Sequence, residues 1–119
     1  MQIPKADPEV TKLFEALTPK TPAVVPKKMF GQPAAFANGN LFMGVYGATL
    51  FVRLCEPDRM KASSKAGFVA FEPMPGRAMR EYWVLPPSVV NDKAEARRWV
   101  ARALSYALTL PAKKPKVRS

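Results

Sequence analysis

Phe36-Ala37-Asn38-Gly39-Asn40-Leu41-Phe42-Met43-Gly44-Val45-Tyr46-Gly47-Ala48-Thr49-Leu50-Phe51-Val52-Arg53-Leu54 is the stretch that decides the fold. Asn38-Gly39 marks a two-residue hairpin turn, because a type I′ turn needs positive φ at both central positions. Leu41 to Tyr46 is the return strand, Gly47-Ala48 a second turn and Thr49 to Leu54 the next strand. Along that last strand Leu50, Val52 and Leu54 fall on one face, and Thr49, Phe51 and Arg53 on the other. This alternation predicts a sheet with one covered face and one half-exposed face.

Upstream, Lys27 to Ala37 reads as one extended segment, with Gly31 and Pro33 making a bulge or bend within it. Before it, Pro19, Pro22 and Pro26 suggest a stiff connector over residues 18–26. Asp7-Pro8-Glu9 opens a helix: Asp7 can accept the free N–H groups of the first turn, and proline suits the first helical position. Val10, Leu13, Phe14 and Leu17 form its apolar stripe, and Thr18-Pro19 ends it.

Downstream, Pro57-Asp58 begins a short helix with a thin stripe of Met60, Ala62 and Ala66, closed by Gly67. Phe68–Phe71 and Glu81–Leu85 read as strands, separated by the Pro73-Met74-Pro75-Gly76 loop; Pro86-Pro87 stops the second. Asn91 or Asp92 caps a last helix. Its inner arc is Ala96, Trp99, Val100, Ala103, Leu104 and Ala107; Arg98, Arg102 and Ser105 lie opposite. The expected order is α-β-β-β-α-β-β-α. This is an α+β, two-layer domain over residues 1–110, with an antiparallel sheet of about five strands and helices on one face. Residues 111–119 read as a basic tail.

Composition narrows the chemistry. The chain has 119 residues, 48% of them hydrophobic, enough for one core. No apolar run approaches the length of a membrane span, and no stretch near the start resembles a signal peptide, so the expected location is the cytosol. There is no histidine and one cysteine, Cys55. That excludes a Ser-His-Asp triad, a Cys-His pair, a Cys/His zinc site and an intrachain disulfide. A solitary cysteine reads first as a small buried hydrophobe. No cofactor fingerprint is present, and the chain is expected to be neither an enzyme nor a metal protein.

The net charge is +10, with nineteen Lys or Arg against nine Asp or Glu. Such an excess suits nucleic acid, an acidic partner, or solubility alone. Arg77 and Arg80 beside the Pro-Met-Pro-Gly loop could grip an anion; the plainer reading is that they pair with Glu72 or Glu81 and staple the loop. Lys27 and Lys28 suit protection of a strand edge, or phosphate contact. Arg97, Arg98 and Arg102, continued by Lys113, Lys114 and Lys116, could form a stripe for non-specific phosphate binding, or a solvated face. Phe51, Trp83 and Leu85, if they share the face that the helices leave open, would make a dimer surface.

Several segments also resemble a known family: Lys28-Met29-Phe30-Gly31, Phe36-Ala37-Asn38-Gly39-Asn40-Leu41-Phe42, Leu50-Phe51-Val52-Arg53-Leu54, the run Phe71 to Tyr82, and the helix from Trp99 to Leu108. Together, over residues 8–110, they are similar to the N-terminal domain of the TfoX/Sxy family. Gln32 departs from that pattern, since many relatives have another glycine there. The resemblance implies a secretion-chaperone-like topology, a bacterial origin, frequent dimerisation, and regulation of DNA-uptake competence together with other proteins. Full-length relatives add a helical C-terminal domain, so this chain is expected to be the N-terminal domain standing alone. The family has no established catalytic residues to transfer. The resulting expectation is a regulatory module that docks a protein partner and pairs with itself, the alternative being non-specific nucleic-acid binding.

Overall fold

The computed structural model describes residues 5–29, 31–65, 67–73, 76 and 79–112. Its elements are α1 (Pro8–Leu17), β1 (Val24–Met29), β2 (Gln32–Ala37), β3 (Asn40–Tyr46), β4 (Thr49–Arg53), α2 (Glu56–Ser64), β5 (Val69–Ala70), β6 (Tyr82–Val84), α3 (Pro87–Val90) and α4 (Lys93–Thr109). The strands form one sheet in the order β1-β2-β3-β4-β6-β5, and every neighbouring pair is antiparallel. The α+β architecture matches expectation, with six strands instead of about five.

The extra strand comes from the segment read as one bent element. Gly31 takes φ +74°, the left-handed conformation open to glycine, and the chain folds back so that Met29 pairs with Gln32. The last three residues of the supposed connector, 24–26, are therefore strand. Pro26 and two lysines are tolerated in β1 because it is an edge. The next hairpin is as read: Asn38 and Gly39 sit at φ 56° and 77°. Asp7 caps α1, accepting from the amides of Glu9 at 2.8 Å and Val10 at 3.2 Å. Of the two capping residues considered for the last helix, Asp92 does it, accepting from the Glu95 amide.

The two faces of the sheet are closed differently. On one, Phe14 and Leu17 of α1, Ala62 of α2, Val89 of α3 and Trp99, Val100, Ala103 and Ala107 of α4 pack against Val24, Phe42, Val45, Leu50 and Val52. Burial of this apolar surface is the main force holding the layers together. Among the described residues the other face carries no helix. Ala34, Leu41 and Phe51 are covered there by Phe71, which stacks on Phe51 at 4.2 Å and 11°, with Met79 and Tyr82 alongside. Phe51 also lies over Gly44, its partner across the ladder; a Cβ on Gly44 would come within 2.6 Å of the Phe51 ring. Glycine at 44 thus makes the space that the phenyl ring fills.

Two local expectations change. Met60 points to solvent with 68% of its surface exposed, leaving Ala62 as the buried contact of α2; Ala66 lies outside the described residues. Pro86-Pro87 does stop the strand, and Pro87 also starts the short α3, where proline costs no hydrogen bond. No helix among the described residues is long and apolar enough to cross a membrane.

Candidate docking surfaces

Phe51, Trp83 and Leu85 do not form the open face expected of them. Phe51 is fully buried beneath Phe71, and Leu85 lies in the core on the helix side. Trp83 pairs with Val52 across the β4–β6 ladder and so shares the helix side, half-buried. The reason is topological. A strand and the residues just beyond it alternate faces, so Phe51 and Trp83 come from opposite sides of one sheet. The indole N–H of Trp83 is buried without a hydrogen-bond partner.

The basic side chains fall into two populations. The first is gathered around internal acids. Arg53 at the end of β4 donates from Nε to Glu81 Oε1 at 2.7 Å, and its Nη2 lies 2.6 Å from the same oxygen. Arg59 of α2 lies 3.6 Å from the same carboxylate and donates to the Leu54 carbonyl at 2.8 Å. The Tyr106 hydroxyl of α4 donates to Glu81 at 2.8 Å. One carboxylate thereby ties β4, α2 and α4 to the loop that closes the second sheet face. Burial pushes the Glu81 carboxyl up, but the Tyr106 hydrogen bond, the Arg53 hydrogen bond and charge, and the Arg59 charge together hold it below its ordinary value. Burial, followed by the bond to Glu81, raises the Tyr106 phenol.

The outer face of α4 is neutralised in the same way. Arg102 pairs with Asp58 at 3.0 Å, and Arg98 with Glu95. Glu95 also holds Lys65 and accepts from the Trp99 indole at 3.1 Å. The hydrogen bonds from Arg98 and Trp99 bring its carboxyl down to about 2. Cys55 is partly exposed instead of buried, and its thiol donates to Asp58 at 3.3 Å. A cleft of about 450 Å³ opens here, lined by Cys55, Asp58, Arg102, Ser105, Tyr106 and Thr109 among others.

Of the proposed stripe, Arg98 and Arg102 are therefore engaged within the fold. Among the described residues Arg97 and Arg80 are exposed without an ion pair. Arg77, Lys113, Lys114 and Lys116 lie outside the described residues. The staple at Glu81 exists, but Arg53 and Arg59 make it, not Arg80. Sequence order hid it because β6 pairs with β4 and places Tyr82 opposite Arg53, a register no local pattern reveals.

The second population lies at the opposite edge. A groove of about 420 Å³ runs between α1 and the β1–β2 hairpin, lined by Phe14, Glu15, Thr18, Lys20, Pro26, Lys27, Lys28, Pro33 and Ala34. Glu15, Lys20 and Lys28 are exposed, and none has an ion pair among the described residues. The Lys27 ammonium lies 5.7 Å from the Phe36 ring, on the sheet's other face. The β1 edge itself is blunted. Pro26 has no N–H, and the Val24 amide is taken by the Thr21 carbonyl at 3.0 Å. Residues 24, 26 and 28 share one edge of the ladder, so only the Lys28 amide remains to pair with an incoming strand. Edge protection, one of the two readings of Lys27 and Lys28, agrees with this placement.

Among the described residues no group of three or more Cys, Asp and Glu side chains could hold a metal ion. None of the curated proteins matches the sequence. The TfoX N-terminal domain family model matches residues 5–107, most of the chain and every strand and helix that carries the surfaces above except the last two residues of α4. The chain belongs to the TfoX N-terminal domain family.

Proposed function

We propose that this TfoX N-terminal domain is a non-catalytic regulatory module that acts by docking a protein partner. The observation that carries this reading is the groove between α1 and β1–β2, where apolar surface and unpaired charge occur together. Around Glu81, Asp58 and Glu95, by contrast, the charges hold the domain's own elements in place. Arg98 and Arg102 in particular are held by Glu95 and Asp58, which weakens the case for a phosphate-binding stripe on α4. Self-association has lost the surface first assigned to it; sedimentation decides it, by a mass near 13.2 kDa or near twice that value.

The test is site-specific photo-crosslinking in the native host. A cross-linker at Thr18, in the groove, is expected to yield discrete protein adducts, and one at Arg97, on α4, to yield few. Nucleic-acid adducts at Arg97, with none of protein at Thr18, would replace docking by nucleic-acid binding.

A further inference from the structure

We infer that the α1/β1 groove takes an acidic peptide segment with an apolar anchor, an inference that rests on the docking reading above. Three features of the groove lead there. Its apolar lining is Phe14, Pro26, Pro33 and Ala34, and proline rings lose no rotamer freedom when covered. Its volume, about 420 Å³, suits a small apolar anchor rather than a broad protein face. Its rim carries Lys20 and Lys28 against one acid, Glu15, in a chain of net charge +10, so the complementary ligand is acidic.

The competing occupants fit less well. A single strand of nucleic acid needs exposed rings on which bases stack, and among the described lining residues the one aromatic, Phe14, is 4% exposed. Glu15 would also oppose a continuous phosphate backbone, whereas a peptide can place its carboxylates at the lysines and avoid it. A second copy of this chain brings the same positive excess and no run of acids. Strand addition is disfavoured because the β1 edge keeps only the Lys28 amide to donate. The segment therefore lies across this lining through side-chain contacts, its apolar residue on Pro26 and Pro33 and its carboxylates at Lys20 and Lys28.

The experiment titrates the full chain against fluorescein-labelled peptides, read by anisotropy. The probe has a central Phe flanked on both sides by Glu and Asp. One control replaces the acids by Gln and Asn, another replaces Phe by Ser, and a third is single-stranded DNA. The acidic probe is expected to bind saturably and at least roughly tenfold more tightly than either peptide control, weakening as salt rises. Lys20→Glu with Lys28→Glu should reduce its affinity at least about tenfold, while Lys93→Glu on α4 changes it less than about twofold. Circular dichroism confirms that these surface variants fold. Absence of saturable binding, indifference to the two groove substitutions, or equal competition by DNA would overturn the assignment. If Thr18 still cross-links to protein while the acidic probe fails, docking stands and the acidic class falls. If neither occurs, both fall.

Discussion

The two ends of this small sheet use positive charge in opposite ways. Around β4, β6 and α4, arginines converge on Glu81, Asp58 and Glu95, and each carboxylate joins elements distant in sequence. Around β1 and α1, lysines stand at the rim of a groove with no acid bound to them. The difference follows side-chain chemistry. A planar guanidinium can satisfy a carboxylate bidentately when partly buried, whereas a lysine keeps its charge hydrated on a flexible stem. In the first region Arg53, Arg59, Arg98 and Arg102 are tied to the fold's own acids; in the second, Lys20 and Lys28 have no ion pair among the described residues.

This contrast can be broken most forcefully at its structural end. Trp99 is 3% exposed, packs against Phe68 with ring centroids 4.9 Å apart, and donates to Glu95. Trp99→Ala is expected to cost about 3–5 kcal/mol in urea unfolding. Glu81→Gln should cost about 2 kcal/mol, because it strips the charge that Arg53 and Arg59 share inside a half-buried site. A loss below about 0.5 kcal/mol would show that solvent already screens the cluster.

Acid sharpens the same comparison. The Glu81 and Glu95 carboxyls are both held below their ordinary value of 4.5, Glu95 down to about 2. A carboxyl depressed in the folded state stabilises it fully above its unfolded value, and this is lost as pH falls through the folded one. Stability should therefore decline as pH drops below about 4.5. Comparing urea midpoints at neutral and acid pH, Glu81→Gln should show the smaller drop; an unchanged drop would mean that other carboxyls govern acid unfolding.

The smallest effect belongs to the groove. Lys20→Gln with Lys28→Gln should shift unfolding by less than about 0.5 kcal/mol, since neither lysine is paired among the described residues. A larger loss would mean that these lysines support the fold, and the contrast between the two ends would disappear.

Much of this architecture was readable in the residues. The Asn38-Gly39 turn, the Asp7 cap and the inner arc of α4 each depend on neighbours a few positions apart, so their patterns survive in one dimension. The strand β1 did not announce itself, because Pro26, Lys27 and Lys28 suit an edge while depressing any hydrophobic alternation. Phe51 was placed on the correct face, but its burial was missed: the cover is Phe71, from a loop twenty residues on. Among the site residues, Arg98 and Arg102 were recognised as lying outside the core, and of their two partners only that of Arg98 is legible in the sequence. Arg98 answers to Glu95, a pairing visible at three-residue spacing, whereas Arg102 answers to Asp58 on another helix.

Sequence alone determined the family, the Asn38-Gly39 hairpin, and the absence of imidazole, because each is a property of identity or of short-range spacing. Tertiary structure decided which positive charges remain open to a partner. That depends on which acids the packed helices and the β4–β6 pairing bring within reach, and Coulomb attraction acts through space, without regard to order along the chain.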